Sequence, residues 1–263
     1  MGAVSLGRIP SFVYSIKAFG RASCECMGKE VRSLFMHQIL CLAANKARQI
    51  QIEDTCQMTS SSMRKDPNFI RDGLPCEGEF EIPIIHRESL PQGEIDLVAC
   101  SRTRWSETAA NRKKGVHFFV DDYRFRCLRY DVTRNLEKYG QYAFLLSPDF
   151  SRYCEMPTWQ VIDAIGMNRW CGAVWQKMGY RVIPSVGWAT PYTYRFCFKG
   201  VERNAPVAIT TNGNRRAKRA YLHGYDAMLD ALDPSTIICL GHPFPEMRGN
   251  IISVKYDIFR KES

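Results

Sequence analysis

Three aspartates stand where two apolar runs give out. HFFV, from His117, ends in Asp121-Asp122, and AFLLS, from Ala143, ends in Pro148-Asp149, with a charged segment between them. Two buried-strand patterns separated by one helix are the sequence form of a parallel strand-helix-strand unit. In such units ligands collect in the crevice beyond the strand C-termini. Two carboxylates meeting there can hold a divalent metal or divide acid and base roles. Asp122 and Asp149 are the expected pair, catalytic and metal-ligating at once, with Asp121 and His242 as further catalytic candidates. Alternation puts His117, Phe119 and Asp121 on one strand face and Phe118, Val120 and Asp122 on the other, so only one of the adjacent aspartates need face the crevice. The structural alternative is that one aspartate caps a turn and another pairs with Arg124, Arg126 or Arg152.

A second constellation is TTNGNRRAKR, from Thr210 to Arg219. It lies where a strand pattern ends and a helix pattern begins. Arg215 and Arg216 in the first turn oppose the helix dipole, a conflict that a bound anion removes, because free amides, a flexible glycine and guanidinium groups all favour phosphate. Thr211, Asn212, Gly213, Arg215 and Arg216 are therefore the expected anion-binding residues. Gly213 stands alone, so this is neither a Walker loop nor a dinucleotide fingerprint; a solvated basic helix is the competing explanation. Trp188, followed by Tyr192, Tyr194, Phe196 and Phe198 at strand-like alternation, could stack a base or sugar ring at the site, or pack in the core. His242, in the GHPFPE loop, is the one histidine placed where strand-end chemistry puts it.

The elements that must hold these residues follow from periodicity. Apolar runs at Asp96–Cys100, Val116–Val120, Tyr142–Leu146, Arg181–Val186, Pro206–Thr210, Thr236–Leu240 and Ile251–Val254 read as strands. Helices are expected from Asp131 to Gly140, from Pro157 to Gly179 and from about Arg215 to Leu232, each closed by glycine or by Asp233-Pro234. Alternation of the two predicts an α/β fold with a mainly parallel sheet of six or seven strands, either an open doubly wound sheet or an incomplete β/α barrel. Before it, RDGLPCEGEFEIPII reads as an irregular lead-in ending in a short strand or extended arm. Residues 1–65 read as an N-terminal extension with one amphipathic helix, about Lys29 to Ile52, and a linker, TSSSMRKDPN; residues 66–263 form the α/β domain.

Composition sets the limits. The 263 residues are 45% hydrophobic and 24% charged, enough for a sizeable core. Lys and Arg number 36 against 27 Asp and Glu, and the net charge of +9 favours anionic partners such as phosphate or nucleic acid. The 11 cysteines are scattered singly, several inside apolar runs (Cys100, Cys127, Cys171, Cys197, Cys239), which predicts reduced core residues and a cytoplasmic protein. No apolar run approaches the roughly 20 residues of a transmembrane helix. The segment Ile9 to Phe19, interrupted by Lys17, lacks the pattern of a secretory signal.

Several separated motifs, HFFVDDYRF, SPDFSRY, RWCGAVWQKMGYRVIPSVGW, FCFKGV and STIICLGHPFPE, together resemble the bacterial and phage family termed domain of unknown function 4417, over roughly Asp66 to Val254. The resemblance implies a bacterial, phage or mobile-element setting and carries over no catalytic residue. From the residues themselves three functions remain. The first is a metal-assisted enzyme, a hydrolase acting on a phosphate-containing or nucleic-acid substrate through Asp122 and Asp149. The second is a glycoside hydrolase with those aspartates as acid and base and Trp188 as sugar platform. The third is a non-catalytic nucleic-acid or protein-binding module whose basic surface is Arg102, Arg104, Arg112, Lys113, Lys114 and the Arg215 to Arg219 cluster.

Overall fold

Short runs rich in Val, Ile, Leu and Phe, bounded by Gly, Pro and Asp, become seven parallel strands in the computed structural model. It describes residues 60–256 of the chain, which divides at Lys65/Asp66 into two units. The expected helix at Lys29 to Ile52 lies outside the described residues. Of the first unit the described part is a single helical turn, α1 (Ser60–Met63), and the residues after it.

The second unit opens with a two-stranded antiparallel arm, β1 (Cys76–Glu77) and β2 (Ile82–Pro83). Next come β3 (Leu97–Ala99), β4 (Gly115–His117), the short helix α2 (Leu136–Tyr139), β5 (Phe144–Leu146), the long helix α3 (Thr158–Lys177) and β6 (Val182–Ile183). The short helix α4 (Tyr194–Cys197), β7 (Val207–Thr210), α5 (Lys218–Leu232), β8 (Ile237–Leu240) and β9 (Ile251–Val254) complete it. All seven expected strands are present, each trimmed at one end or both except β9.

The strands pair in chain order. β3 to β6 form one parallel ladder and β7 to β9 another. A parallel bridge from Ser185 to Ala208 joins them, with Val186 N–H donating to the Ala208 carbonyl at 2.8 Å and Ala208 N–H to Pro184 at 2.9 Å. A doubly wound sheet must reverse its strand order at a switch point, and this one does not. One face of six of the seven parallel strands contributes to a common apolar cluster, with Leu97, Phe144, Leu146, Ile183, Ala208, Ile238, Leu240 and Val254 all buried in it, joined by Phe119 just beyond β4. Beyond β9, the Tyr256 hydroxyl donates to the Phe119 carbonyl at 3.2 Å, bringing the last strand over the first ones. The arrangement is that of an incomplete β/α barrel with a filled interior.

The opposite faces carry the helices. Val116, Phe118, Leu145 and Val182 pack against Ala164, Met167, Trp170 and Trp175 of α3, while Val207, Ile209, Ile237 and Cys239 pack with Tyr221, Tyr225 and Met228 of α5. Val161 and Ile165 of α3 join the second cluster, so this helix is buried on two sides. It begins just after Pro157 and ends before Gly179, whose φ of +90° suits glycine.

Two expected elements differ. The helix from Asp131 shrinks to α2, because Asn135 takes a left-handed φ of 62° and breaks the run; Asp131 instead accepts from the Thr133 N–H at 3.0 Å in a local turn. Tyr192 to Phe198 is helical, not strand-like: a 3-10 turn at Pro191–Thr193 leads into α4, and Tyr194 meets Phe198 at i,i+4 with ring centroids 5.9 Å apart. Two-residue alternation of aromatics is compatible with a helix when only one turn is formed, and Phe196 and Cys197, adjacent in sequence, are both buried.

Candidate functional site

Where the barrel interior ends, beyond the strand C-termini, a cavity of about 540 Å³ opens. That is the size range of small-molecule sites. The turn after β3 contributes Arg102, β4 and its extension contribute His117, Phe119 and Asp121, and Arg124 follows. Asp149, Ser151 and Tyr153 come from the segment after β5, and Thr210, Asn212 and Gly213 from the end of β7.

His117 is buried, stacked on Phe119 with centroids 6.1 Å apart and 6.4 Å from Tyr256. Its Nδ1 accepts the Phe119 backbone N–H at 3.2 Å, so the neutral ring carries its proton on Nε2. Burial, with help from the Arg102 charge, pushes its pKa down to about 3. The imidazole is therefore an uncharged donor throughout the neutral range. Asp121 is 73% exposed and lies 3.9 Å from the Arg124 guanidinium.

The two aspartates expected to act as a pair have other partners. Asp122 is not among the residues lining the cavity, and its two oxygens accept the Ser151 N–H at 3.1 and 3.2 Å and the Ser151 hydroxyl at 2.8 Å. Asp149 lines the cavity but is bound to Nη2 of Arg152 at 2.5 Å, a guanidinium only 6% exposed. Of the neighbouring aspartates it is Asp121 that shares the inward face with His117 and Phe119. Among the described residues no group of three His, Cys, Asp or Glu gathers to hold a metal. One of the two carboxylates thus holds a serine and the other an arginine.

Trp188 is partly buried against Tyr221, at 4.9 Å between centroids, and Phe198, at 6.2 Å. A Cβ on Gly224 of α5 would lie 2.1 Å from its Nε1, so the indole lies flush on the helix backbone, outside the cavity lining. Thr211 is fully buried, its hydroxyl donating to the His242 carbonyl at 2.9 Å. Asn212 and Gly213 reach the cavity, and the Nδ2 of Asn212 is buried with no hydrogen-bond partner. The helix expected from Arg215 begins as a 3-10 turn, Arg215–Ala217, before α5. Arg215 donates to the His242 carbonyl at 2.6 Å and stacks 4.8 Å over Phe244; neither it, Arg216 nor the exposed His242 lines the cavity. The wider basic surface is already engaged in places, since Lys114 pairs with Asp96 at 2.7 Å, Lys218 pairs with Glu246 at 2.6 Å, and Arg112 donates to the Glu107 carbonyl.

The strand-end crevice thus joins Asp121, Asp149, Asn212 and Gly213 and leaves out Asp122, Trp188, Thr211, Arg215, Arg216 and His242. Sequence reasoning passed over Tyr153 and Tyr256, took Arg102 only as part of a broad basic surface and Arg124 only as an aspartate's structural partner, and gave His117 no site role. For His117 the signal was present, in its alternation with Asp121 on one strand face.

Comparison with known proteins places the chain. Residues 74–257 match the family described as domain of unknown function (DUF4417). The chain belongs to that family. It is similar to the Gene 1 protein of Mycobacterium phage D29, 34% identical over 175 residues, covering 65% of this chain and 64% of that protein. The Gene 1 protein of Mycobacterium phage L5 is 36% identical over 148 residues, covering 55% of this chain and 65% of that protein. The chain thus spans just under two thirds of the length of these relatives. No solved structure matches. Among the described residues no helix is long and apolar enough to cross a membrane.

Proposed function

We propose that the cavity at the strand C-termini binds a compact phosphate-bearing ligand through protein groups directly. The observation that carries the proposal is the convergence in one cavity of Arg102, Arg124, the uncharged Nε2–H donor of His117 and the amide-bearing turn at Asn212-Gly213. Guanidinium groups and neutral donors together suit a phosphate oxygen cluster. Asp121 is the cavity carboxylate in position to move a proton to or from such a ligand while His117 donates a hydrogen bond, which is the form a hydrolytic activity would take here. The buried thiols of Cys100, Cys171, Cys197 and Cys239 support a reducing, cytoplasmic location.

The test is thermal. Millimolar inorganic phosphate raises the midpoint of the wild type, because a ligand that binds only the folded state stabilises it by mass action. Arg124→Gln is expected to lose most of that shift, while Arg215→Gln/Arg216→Gln keeps it. Loss in the Arg215/Arg216 variant alone would move the anion to the helix start and out of the cavity.

A further inference from the structure

The loops around the cavity mouth carry a feature that a small-ligand pocket does not need. Tyr123 and Tyr153 are 62% and 59% exposed, large rings left in water beside the cavity. Tyr123 has the Arg124 guanidinium 5.0 Å from its ring centroid, and that same arginine lines the cavity. Tyr153 lines the cavity itself, its hydroxyl 3.3 Å from the Ser151 Oγ.

These two rings come from different strand-end segments, one after β4 and one after β5. Asp122, immediately before Tyr123, holds Ser151, two residues before Tyr153, by three contacts of 2.8 to 3.2 Å. The carboxylate therefore fastens the two tyrosine-bearing segments to each other beside the cavity. This is a reason for an aspartate at position 122 that needs neither metal nor acid-base chemistry.

We propose that this rim, Tyr123, Arg124 and Tyr153 held by the Asp122–Ser151 clamp, is a stacking platform for the bases of a single-stranded nucleic acid, one of whose phosphates occupies the cavity. The inference rests on the cavity reading above and names its substrate class. Base stacking on aromatic rings with guanidinium groups beside them is how single strands are bound without sequence readout. A net charge of +9 is complementary to such a polyanion. A duplex, with its bases already stacked, gains nothing from exposed rings. Asp122 is then a positioning residue and not a catalytic one.

The experiment measures binding of a fluorescein-labelled ten-residue oligothymidylate to the full chain by anisotropy at low salt, with the matching duplex as comparison. Expected are a single-strand affinity at least tenfold above that of the duplex, an affinity that falls steeply with salt, and a loss of about tenfold or more in Tyr123→Leu/Tyr153→Leu. Asp122→Asn is expected to weaken oligonucleotide binding while leaving the phosphate-induced thermal shift in place, a split that general unfolding does not produce. Circular dichroism of each variant establishes folding. A duplex bound as tightly as the single strand, or an unchanged affinity in the folded tyrosine variant, would overturn the platform. No oligonucleotide binding with a retained phosphate shift would remove the nucleic acid and keep the cavity. Loss of both would remove both.

Discussion

Replacing Asp122 by alanine separates a clamp from a catalytic carboxylate. The wild-type carboxylate, half-buried, accepts from the Ser151 N–H and hydroxyl at 2.8 to 3.2 Å. Hydrogen bonds to a charged acceptor contribute roughly 1.5–3 kcal/mol each, and a donor left unsatisfied costs about 1–3 kcal/mol. Partial exposure allows water to replace some of this, so Asp122→Ala is expected to lose about 2–3 kcal/mol. For a domain of this size that corresponds to a fall of about 5–10 °C in the thermal midpoint. Ser151→Ala, which keeps the backbone N–H, is expected to lose about 1 kcal/mol. Urea denaturation of both single variants and the double variant measures the coupling through the hydroxyl, expected at about 0.5–1 kcal/mol. A carboxylate poised for chemistry behaves in the opposite way, since its removal costs activity and not stability. If Asp122→Ala melts within 1 °C of the wild type in a thermal scan, or the two losses simply add in urea, the clamp is refuted.

Further outcomes follow from other contacts. Gly224→Ala gains about 1 kcal/mol of helix propensity but drives a methyl into Trp188, so a net loss of about 1–2 kcal/mol in urea titration is expected; an unchanged or raised midpoint would show that the indole does not lie on α5. Arg152→Met leaves Asp149 without its buried partner and should cost about 3–5 kcal/mol, whereas Asp149→Asn/Arg152→Met should cost less; equal losses would show that the pair is not coupled. His117 has a folded pKa of about 3, below its unfolded value near 6.5. The unfolded chain therefore binds the extra proton between these values, and stability that is complete above the upper one is lost as pH falls. From pH 6.5 to 5 the wild type should lose about 1.6 kcal/mol more than His117→Gln, the slope nearing roughly 1.4 kcal/mol per unit only below pH 6, and parallel pH profiles in denaturant would contradict the burial of the ring.

Much of the architecture was legible in local pattern. The apolar runs marked all seven strands, Pro157 and Gly179 bracketed α3, and the end of α5 before Pro234 could be read directly, because capping and periodicity are properties of adjacent residues. Tyr192 to Phe198 misled for the same reason: a one-turn helix is too short for its period to show against aromatic alternation.

By itself the sequence determined the family, through its separated motifs, and the α/β class, since strand-helix alternation follows from hydrophobic spacing. Tertiary structure decided the rest. That the sheet curls into an incomplete barrel depends on strand order and on the interior shared by Leu97, Ala208 and Val254, none of which a linear pattern encodes. That Asp121 faces the cavity while Asp122 fastens Ser151, and that Arg152 claims Asp149, was settled by pairing between distant or turned-back segments. A carboxylate's identity is local, but its partner is fixed by which chain segments the fold brings within 3 Å, and a hydrogen bond at that distance determines whether the group is free for a ligand.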